Sequence, residues 1–556
     1  MSKKLKSFAW FICFVFIFSS LVTLPGIKSD SVKAASSNQP VKTLTFFYGD
    51  SNADTHPDLF STPIGKELTK LTGVKLKIEY LAGQDEATKI GLMLASGDLP
   101  DLIHGHQEHG KLIEAGVLVP LDDYIQKYGK YCKQIYSAKD LKRLRQKDGK
   151  IYFLSPYRNE ITPDIKPDGF WLPIDLLEKA KWPKVRYWED YQQLIRDYVK
   201  KNPTIDGKPT IGFTFITESW RFFTLENPPS YLMGYQNDGD VIVDPKTYTA
   251  KVYSTMPESK RYYKDLNKMW KEGLIDKEVF VQNYDTYLSK IAQGRVVGFY
   301  DQWWQFGYDA EASLKNAKKY NRMHVSFPVV YKGVQRAKYL VIQPIGARDG
   351  ISITKKCKDP VTAFKFLDTL CSLEAQKLMY WGIKGVDYSV DKNGKMYLTD
   401  KQKAQREDSA YRKKEGLGYW WVFPHAALKL QDGNYREPGF DPEYVYKNFS
   451  PAEKKVLDAY KAKYFMQPPF TDPPIETPYG FAWDINIPAD KTQVTLAQQK
   501  MSEVRRKYLP QLVMAKSDAD FERIWNEFVK AFEKTNYKVY EQFKTEMIRW
   551  RVKNWN

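Results

Sequence analysis

The chain has 556 residues, more than a usual single domain, so at least two hydrophobic cores are expected. Hydrophobic residues make up 43% and charged residues 27%, a balance that excludes a wholly disordered chain. The formal net charge is +18, but the positive charge is spread along the sequence. It lacks the clustered basic stripe and the recognised motif that are typical of nucleic-acid binding, so no nucleic-acid partner is predicted.

The N-terminus has the pattern of a secretory signal peptide. Lys3, Lys4 and Lys6 precede an apolar stretch over residues 8–24, and small residues follow near Ala34 and Ala35. This pattern predicts a signal peptide over residues 1–35 and an extracellular protein, secreted or associated with the cell surface. An uncleaved anchor stays open as an alternative. Without the first 35 residues the net charge is 18 − 4 = +14, which fits a solvated basic surface, an acidic ligand or an anionic cell wall.

Four cysteines are too few for a disulfide framework in an exported chain of this size. Cys13 lies inside the apolar run and follows bulky residues, so a lipobox is not predicted. Cys132, Cys357 and Cys371 are expected to be buried free thiols, although a Cys357–Cys371 bridge stays open.

The first 120 residues alternate between strand and helix patterns. Strands are predicted over residues 41–48, 74–80 and 102–103, and helices over 62–72, 85–96 and 111–115. This order predicts an α/β layer with a mostly parallel sheet. Ligands bind at the carboxyl ends of the strands in such sheets. The loops over residues 49–57 and 104–109 are therefore candidate site loops.

Later segments continue the mixture of strands and helices. Helices are predicted over residues 190–201, 259–273 and 360–373, and strands over 211–216 and 296–300. The last forty residues have a strongly helical pattern. These elements repeat the mixed α/β pattern, and no internal repeat is found.

Five segments, in order, resemble a known family. Residues 65–101 end in the run ASGDLPD, and residues 266–276, 293–304, 351–373 and 381–388 contain further similar elements. The resemblance is to the large extracellular solute-binding proteins of Gram-positive ABC importers, in the oligosaccharide-binding group with lipoprotein LplA-like and alginate-binding members. It covers roughly residues 42–400 and is weaker beyond them.

The resemblance implies a periplasmic-binding-protein-like α/β fold with two lobes, a hinge and a ligand cleft between the lobes. One lobe is expected over residues 42–157 with about 340–400, the other over 158–339 with about 401–556. The implied protein is a monomer that binds a carbohydrate for an importer permease, without catalysis or cofactor. Alginate-binding relatives have an acidic calcium loop, whereas residues 202–211 have only Asp206, so no metal is predicted there.

Polar residues after the first and third predicted strands are candidate ligand contacts. Asp50 and Asn52 lie in the first loop, where such residues also serve as turn caps. His104, His106 and His109 form an H-x-H-x-x-H pattern. Imidazoles at this spacing suit zinc, hydrogen bonds to a sugar, or a plain polar loop, and sugar binding is favoured over zinc because no distant fourth ligand stands out.

Aromatic residues make up 15% of the chain, so some are expected at a binding surface. A pyranose ring stacks on a tryptophan face, and ligand pockets combine aromatic walls with a few polar groups. Core packing is the alternative for each tryptophan. The six candidates are Trp171, Trp220, Trp303, Trp304, Trp420 and Trp421.

Two arginines and a tyrosine complete the predicted site. Tyr157 and Arg158 follow a stretch where the chain is expected to cross between lobes, and Arg221 follows Trp220. The guanidinium fork suits a carboxylate, so an acidic sugar is one candidate ligand. A structural ion pair is the alternative for both arginines.

No nucleophile elbow, phosphate loop or metalloprotease motif is present. A glycosidase pair of carboxylates has no sequence spacing of its own. A carbohydrate-active enzyme and a receptor for a peptide or other nutrient therefore stay open as alternatives to an oligosaccharide receptor.

Overall fold

The computed structural model describes residues 40–50, 56–81, 85–158, 160–342, 345–488 and 490–555. The predicted signal peptide and Asn52 lie outside these residues. Within the described ranges, every helix is too short or too polar to cross a membrane.

The strands in the described part of the chain are short, and most have two to seven residues. They are Lys42–Tyr48 (β1), Val74–Tyr80 (β2), Leu102–His104 (β3), Phe153–Leu154 (β4), Gly169–Pro173 (β5), Thr204–Ile205 (β6), Lys208–Pro209 (β7), Ile211–Thr214 (β8), Val241–Val243 (β9), Ala250–Val252 (β10), Val296–Asp301 (β11), His324–Phe327 (β12), Val341–Ile342 (β13), Ile351–Ile353 (β14), Ser389–Val390 (β15), Met396–Tyr397 (β16) and Ile475–Glu476 (β17).

The helices are longer and lie between and around the strands. They are Pro63–Thr72 (α1), Glu86–Ser96 (α2), His109–Glu114 (α3), Asp122–Tyr128 (α4), Cys132–Ile135 (α5), Ala138–Arg143 (α6), Ile174–Lys179 (α7), Trp188–Lys201 (α8), Phe223–Glu226 (α9), Pro228–Leu232 (α10), Pro257–Lys271 (α11), Tyr284–Ala292 (α12), Trp303–Phe306 (α13), Ala312–Asn316 (α14), Pro360–Leu370 (α15), Leu373–Tyr380 (α16), Asp400–Glu407 (α17), Ser409–Glu415 (α18), Pro442–Asn448 (α19), Pro451–Ala459 (α20), Thr492–Val513 (α21), Asp518–Glu533 (α22) and Tyr537–Trp555 (α23).

The first two predicted helices have the end signals that the sequence indicated. Thr62 accepts the backbone N–H of Gly65 in front of α1, and Asp85 accepts that of Thr88 in front of α2. Gly97 ends α2 in the left-handed conformation, at φ 68°. Side chains that satisfy the first free N–H groups fix the start of a helix, which is why these bounds could be predicted.

The first sheet has the strand order β2-β1-β3-β14-β4. Strand β1 is parallel to β2 and β3, whereas β14 is antiparallel to both of its neighbours, β3 and β4. Four of the five strands therefore run in one direction, which confirms the prediction of a mostly parallel sheet. Strand β14 alone runs against the others, and its short run has no periodicity that fixes a direction.

The second sheet has the order β12-β5-β11-β8. Only β11 and β8 are parallel, while β5 is antiparallel to both β11 and β12. Alternate residues point to opposite faces of a strand. Phe170 and Leu172 of β5 pack in the largest core, and Trp171 between them packs in a smaller cluster with Phe299 and Phe306.

Each sheet has a large hydrophobic core of its own. Residues from Leu44 to Leu154 and from Ile345 to Leu430 form the first, and residues from Phe170 to Tyr339 and from Val456 to Ile548 form the second. The segment with Trp420 and Phe423 packs on the first core. The predicted lobe division placed this segment with the second lobe, and that division stays a prediction.

Three further features bear on the sequence predictions. Helix α15 ends at Leu370, and α16 begins after the Ser372 cap. The helix predicted over residues 360–373 therefore ends three residues earlier, where a second helix follows. Cys132, Cys357 and Cys371 are buried free thiols, as predicted. Strands β6 and β7 form a hairpin around Asp206, whose carboxylate pairs with Lys319 at 2.7 Å.

Candidate functional site

The carboxyl edge of the first sheet collects polar and aromatic side chains. The parallel strands β1, β2 and β3 end there, and the antiparallel β14 begins there. Asp50 follows β1 and is only 3% exposed. Burial, and then the Asp50 carboxylate, raises the pKa of Tyr48. The topology thus brings together loops that are far apart in the sequence.

His104 is a buried histidine at this edge. It is the last residue of β3 and is 0% exposed, and neither of its ring nitrogens has a hydrogen bond to a described residue. Its Nε2 lies 3.7 Å from Oδ2 of Asp349. Burial lowers the pKa of His104 far below its usual range, so the ring is neutral at pH 7.

His106 and His109 have different surroundings. Nδ1 of His106 lies 3.2 Å from Oε2 of Glu86, and this carboxylate raises the pKa of His106 against the opposing effect of burial. His109 accepts the N–H of Gly105 at Nδ1 and lies 2.8 Å from Ser352 Oγ at Nε2. Burial lowers its pKa to about 3. Among the described residues, no group of three or more ligating side chains is placed to hold a metal ion.

An aromatic wall stands beside the histidines. The ring of Trp421 lies 6.0 Å from that of Tyr48, 6.4 Å from that of His104 and 5.8 Å from that of Tyr157. Trp421 and Tyr157 are partly exposed. The predicted residues Asp50, His104, Tyr157 and Trp421 therefore form one cluster, although they come from four separate segments.

The guanidinium of Arg158 is bound by other groups of the protein. Its Nη1 lies 3.5 Å from Oδ2 of Asp140, and its Nη2 donates to the carbonyl of Ile135 at 2.8 Å. It also lies over the ring of Tyr136. This environment matches a structural ion pair, the alternative that the sequence left open.

Arg348 provides a guanidinium at the edge that the sequence analysis missed. Its Nη2 lies 3.1 Å from Oδ2 of the neighbouring Asp349, and its guanidinium lies 5.7 Å from the ring of Tyr157 and 5.3 Å from that of Trp483. Trp483 is 42% exposed. A carboxylate, a cation and two aromatic faces thus meet at one point.

The edge of the second sheet carries the other predicted tryptophans. Trp220 follows β8, and Trp303 and Trp304 follow β11, which is parallel to β8. The rings of Trp220 and Trp304 stack at 5.8 Å with an angle of 21°. Trp304 is 46% exposed, and its Nε1 donates to Gln302 at 2.6 Å. This stacked pair is a flat apolar platform with one open face.

Arg221 lies at the side of this platform. Its guanidinium lies 3.8 Å from the ring centroid of Tyr284 and 4.6 Å from that of Trp220. Stacking of this kind fixes the plane of the guanidinium and leaves its edges for hydrogen bonds. Arg221 is therefore better placed for a ligand than Arg158.

Two carboxylates lie beneath the platform. Asp168 accepts the backbone N–H of Trp303 at 3.2 Å, and Asp301 accepts hydrogen bonds from Tyr287 and Gln305 at 2.6 and 2.7 Å. Burial raises the pKa of Asp168 to about 6 and that of Asp301 to about 7. These carboxylates fix the start of the segment that carries Trp303 and Trp304.

Two of the predicted tryptophans lie in the interior. Trp171 is 0% exposed and packs against Phe306, and its Nε1 donates to the Asp301 carbonyl. Trp420 is 1% exposed, and its Nε1 donates to the Gly416 carbonyl. Neither ring has a free face on which a sugar could stack, so we leave both out of the proposed site.

Tyr308 is a further exposed ring that the sequence analysis missed. It is 63% exposed, yet desolvation and the carboxylates of Asp164 and Glu437 raise its pKa. Its position four residues after Trp304 was the only sequence feature that could have pointed to Tyr308 as a site residue.

The fold, with two α/β units and polar and aromatic residues at the carboxyl edges of their sheets, is that of a solute-binding protein. The chain belongs to the family of bacterial extracellular solute-binding proteins, whose sequence profile matches residues 64–386. This match confirms the resemblance found in the sequence.

Two characterised relatives match by sequence. The substrate-binding protein FusA of a fructooligosaccharide ABC transporter, from Streptococcus pneumoniae serotype 4, is 26% identical over 372 residues, which are 63% of this chain and 64% of FusA. The match thus spans less than two thirds of that relative. Lipoprotein LipO of Bacillus subtilis strain 168 is 22% identical over 78% of this chain and 84% of its own length.

Solved structures agree on the fold. FusA of S. pneumoniae in complex with kestose has a TM-score of 0.65 and 19% identity, and the alignment covers 92% of this chain and all of FusA. The alginate-binding protein AlgQ2 without calcium has a TM-score of 0.62 and 20% identity, over 92% of this chain and 98% of its own. These values confirm the predicted two-lobed α/β fold.

Proposed function

We propose that this protein captures an oligosaccharide outside the cell and delivers it to an ABC importer. The observation that carries the proposal is the pairing of open aromatic faces with polar side chains at both sheet edges. Trp304 and Trp421 offer stacking surfaces, and His106, Arg221 and Arg348 offer hydrogen-bond donors. Carbohydrate pockets need this mixture, because a pyranose has apolar C–H faces and a polar rim. The names of FusA and AlgQ2 support a carbohydrate ligand.

We propose that the two edges face each other across a cleft that closes on the ligand. The chain passes between the sheets over residues 155–168, between β12 and β14, and after residue 430. Strand β13 pairs with β17, which joins two of these passages. Lobe 1 would then contain residues 42–157 and about 345–430, and lobe 2 the rest, because the cores divide there. Rotation about these passages is the ordinary closure motion of two-lobed receptors.

We propose binding without turnover, by a monomer that is secreted or held at the cell surface. FusA and AlgQ2 are named as binding proteins. Asp168 and Asp301, the two carboxylates beneath the platform, support this, because both hold neighbouring protein groups and Asp301 is fully buried. A glycosidase pair must reach both sides of a glycosidic bond.

A thermal-shift screen over neutral and uronate oligosaccharides, with peptides as a second panel, tests this function. Ligand at 100 times its Kd stabilises the folded state by about 2.7 kcal/mol, which raises the melting temperature measurably. We expect a rise with a glycan that mass spectrometry recovers intact. Cleaved glycan would instead identify an enzyme, and a rise with peptides alone would identify a different nutrient receptor. A rise with a uronate glycan would indicate that Arg221 and Arg348 bind its carboxylates. A rise with a neutral glycan would indicate that they donate hydrogen bonds to hydroxyl groups.

A further inference from the structure

Part of the positive charge gathers on one face of the first α/β unit. Residues 126–150 contain nine Lys and Arg against two Asp, a net charge of +7 in 25 residues. Arg143 of this stretch is buried, and both Lys139 and Arg143 pair with Glu476, so only part of this charge is exposed on one face. Helices α4 and α5 begin this stretch and pack on α15. We call the side chains of Lys127, Lys130, Lys133 and Lys365 the basic face.

Contacts with two tyrosines show that these lysines are neighbours. The Nζ atoms of Lys127 and Lys365 lie 5.2 and 5.1 Å from the centroid of the same ring, that of Tyr128. Nζ of Lys130 lies 4.8 Å from the ring of Tyr131. Nζ of Lys133 donates to the carbonyl of Gln126 at 3.1 Å, which turns it back toward α4.

Two acidic residues beside this face are engaged by other groups, whereas Asp123, four residues before Lys127, is exposed. Asp368 is buried, and its carboxylate accepts the backbone N–H groups of Lys130, Tyr131 and Cys132 at 3.2, 2.9 and 2.8 Å. Asp122 pairs with Arg145 at 2.5 Å. Among the described residues, no carboxylate forms an ion pair with any lysine of the basic face. Gathered like charges cost free energy, and an anionic partner offsets that cost.

The basic face lies beside the point where the described chain begins. Lys42, at the start of β1, pairs with Asp359 at 2.5 Å, and Asp359 caps α15. Lys365 lies six residues further along this helix, about 9 Å away at 1.5 Å per residue. Thirty-nine residues precede Pro40, and residues 8–24 of them are almost wholly apolar. The described chain thus enters the first α/β unit next to this face.

The tyrosines of the face also suit a lipid surface. Tyr124, Tyr128 and Tyr131 are partly exposed between the lysines. Tyrosine is enriched at the head-group level of membranes, where its ring and its hydroxyl are both accommodated. A soluble polyphosphate would use the lysines alone.

We propose that the basic face docks on a bilayer of anionic phospholipid, and so orients the receptor on the outer surface of the membrane. Each lysine near such a bilayer strengthens binding about fivefold. The interaction falls with salt, because the charges are exposed.

Vesicle cosedimentation tests this proposal without any sugar ligand. The chain from residue 36 onward is suitable, since both hydrophobic cores lie within residues 44–548. It is mixed with vesicles of phosphatidylcholine alone or with phosphatidylglycerol. The test variant changes Lys127, Lys130 and Lys133 to Glu. The control changes the exposed lysines Lys500, Lys507 and Lys516 of the C-terminal region to Glu, with the same change in net charge.

We expect the unchanged chain to bind the vesicles that contain phosphatidylglycerol and not those of phosphatidylcholine alone. The test variant should bind at least about tenfold more weakly, and the control should stay within about twofold of the unchanged chain. Equal losses in both variants would overturn the proposal, because net charge alone would then explain the binding. Absence of binding to either vesicle, or retention by a soluble polyphosphate alone, would overturn it as well.

Discussion

Trp171 and Trp304 show, at the scale of single residues, how burial decides what a tryptophan does. Both were candidate stacking residues, but Trp171 is 0% exposed in the interior and Trp304 is 46% exposed at the sheet edge. The sequence could not separate them, since each follows or occupies a strand. The two differ in the element that carries them, since Trp171 lies in the buried strand β5 and Trp304 in the short helix α13 at the sheet edge.

Replacement of each by alanine should therefore have opposite consequences. We expect Trp171→Ala to lower the free energy of unfolding by about 3–5 kcal/mol, because it empties a packed core. Trp304→Ala should cost less than about 1 kcal/mol, because it removes a half-exposed ring. Urea unfolding followed by circular dichroism measures both. Similar losses in the two variants would contradict the assigned burial.

Asp301 gives a prediction about pH. Its pKa is raised from 3.8 to about 7 by burial, so the folded state binds a proton more readily than the unfolded state. The stabilisation from this group is fully present below pH 3.8 and is lost as the pH rises through about 7. Asn keeps an oxygen for the hydrogen bonds from Gln302 and Gln305, and its amide can face the Tyr287 hydroxyl.

We therefore expect Asp301→Asn to remove part of the decline in stability between about pH 4 and pH 7, on the order of a few kcal/mol at most. Melting temperatures of both proteins over this range give the difference. A variant that declines in parallel with the unchanged protein would show that Asp301 is ionised throughout.

At the scale of elements, the start of a helix could be predicted where a side chain caps its first backbone N–H groups. Helices α1 and α2 begin after Thr62 and Asp85, whose side chains accept backbone N–H groups. The sequence analysis placed these helices correctly. It did not predict β14, because a three-residue strand has too few residues to show a periodic pattern. Arg348 and Asp349 precede β14, so they were missed together with its orientation.

Asp359 tests the contribution of such a cap. Asp359 accepts the N–H of Thr362 in front of α15 and pairs with Lys42. The hydrogen bond from Lys42 is the largest of the effects that lower the pKa of Asp359 to about 2. We expect Asp359→Ala to cost about 1 kcal/mol of unfolding free energy. Asp400→Ala, in the first turn of α17 but not its cap, is the control and should cost a few tenths. Denaturant titration compares the two, and equal losses would contradict the capping role.

At the scale of the whole molecule, the fold could be predicted better than the site. The alternating elements indicated an α/β layer, and the five family segments implied two lobes. Of the predicted site residues, Asp50, His104, Tyr157 and Trp421 lie close together, and their role in binding stays a prediction. Trp483 and Arg348, more than 130 residues apart, meet only through the packing of the C-terminal region. Such contacts leave no local pattern in a single sequence.

We propose that one oligosaccharide contacts both sheet edges at once. Titration calorimetry with the glycan from the thermal screen tests it on the unchanged chain, Tyr157→Ala and Trp304→Ala. Loss of an aromatic contact costs about 0.5–1.5 kcal/mol, so each variant should bind several-fold to about tenfold more weakly, with similar circular dichroism. Affinity that falls in only one variant, or in neither, would contradict a shared site between the two edges.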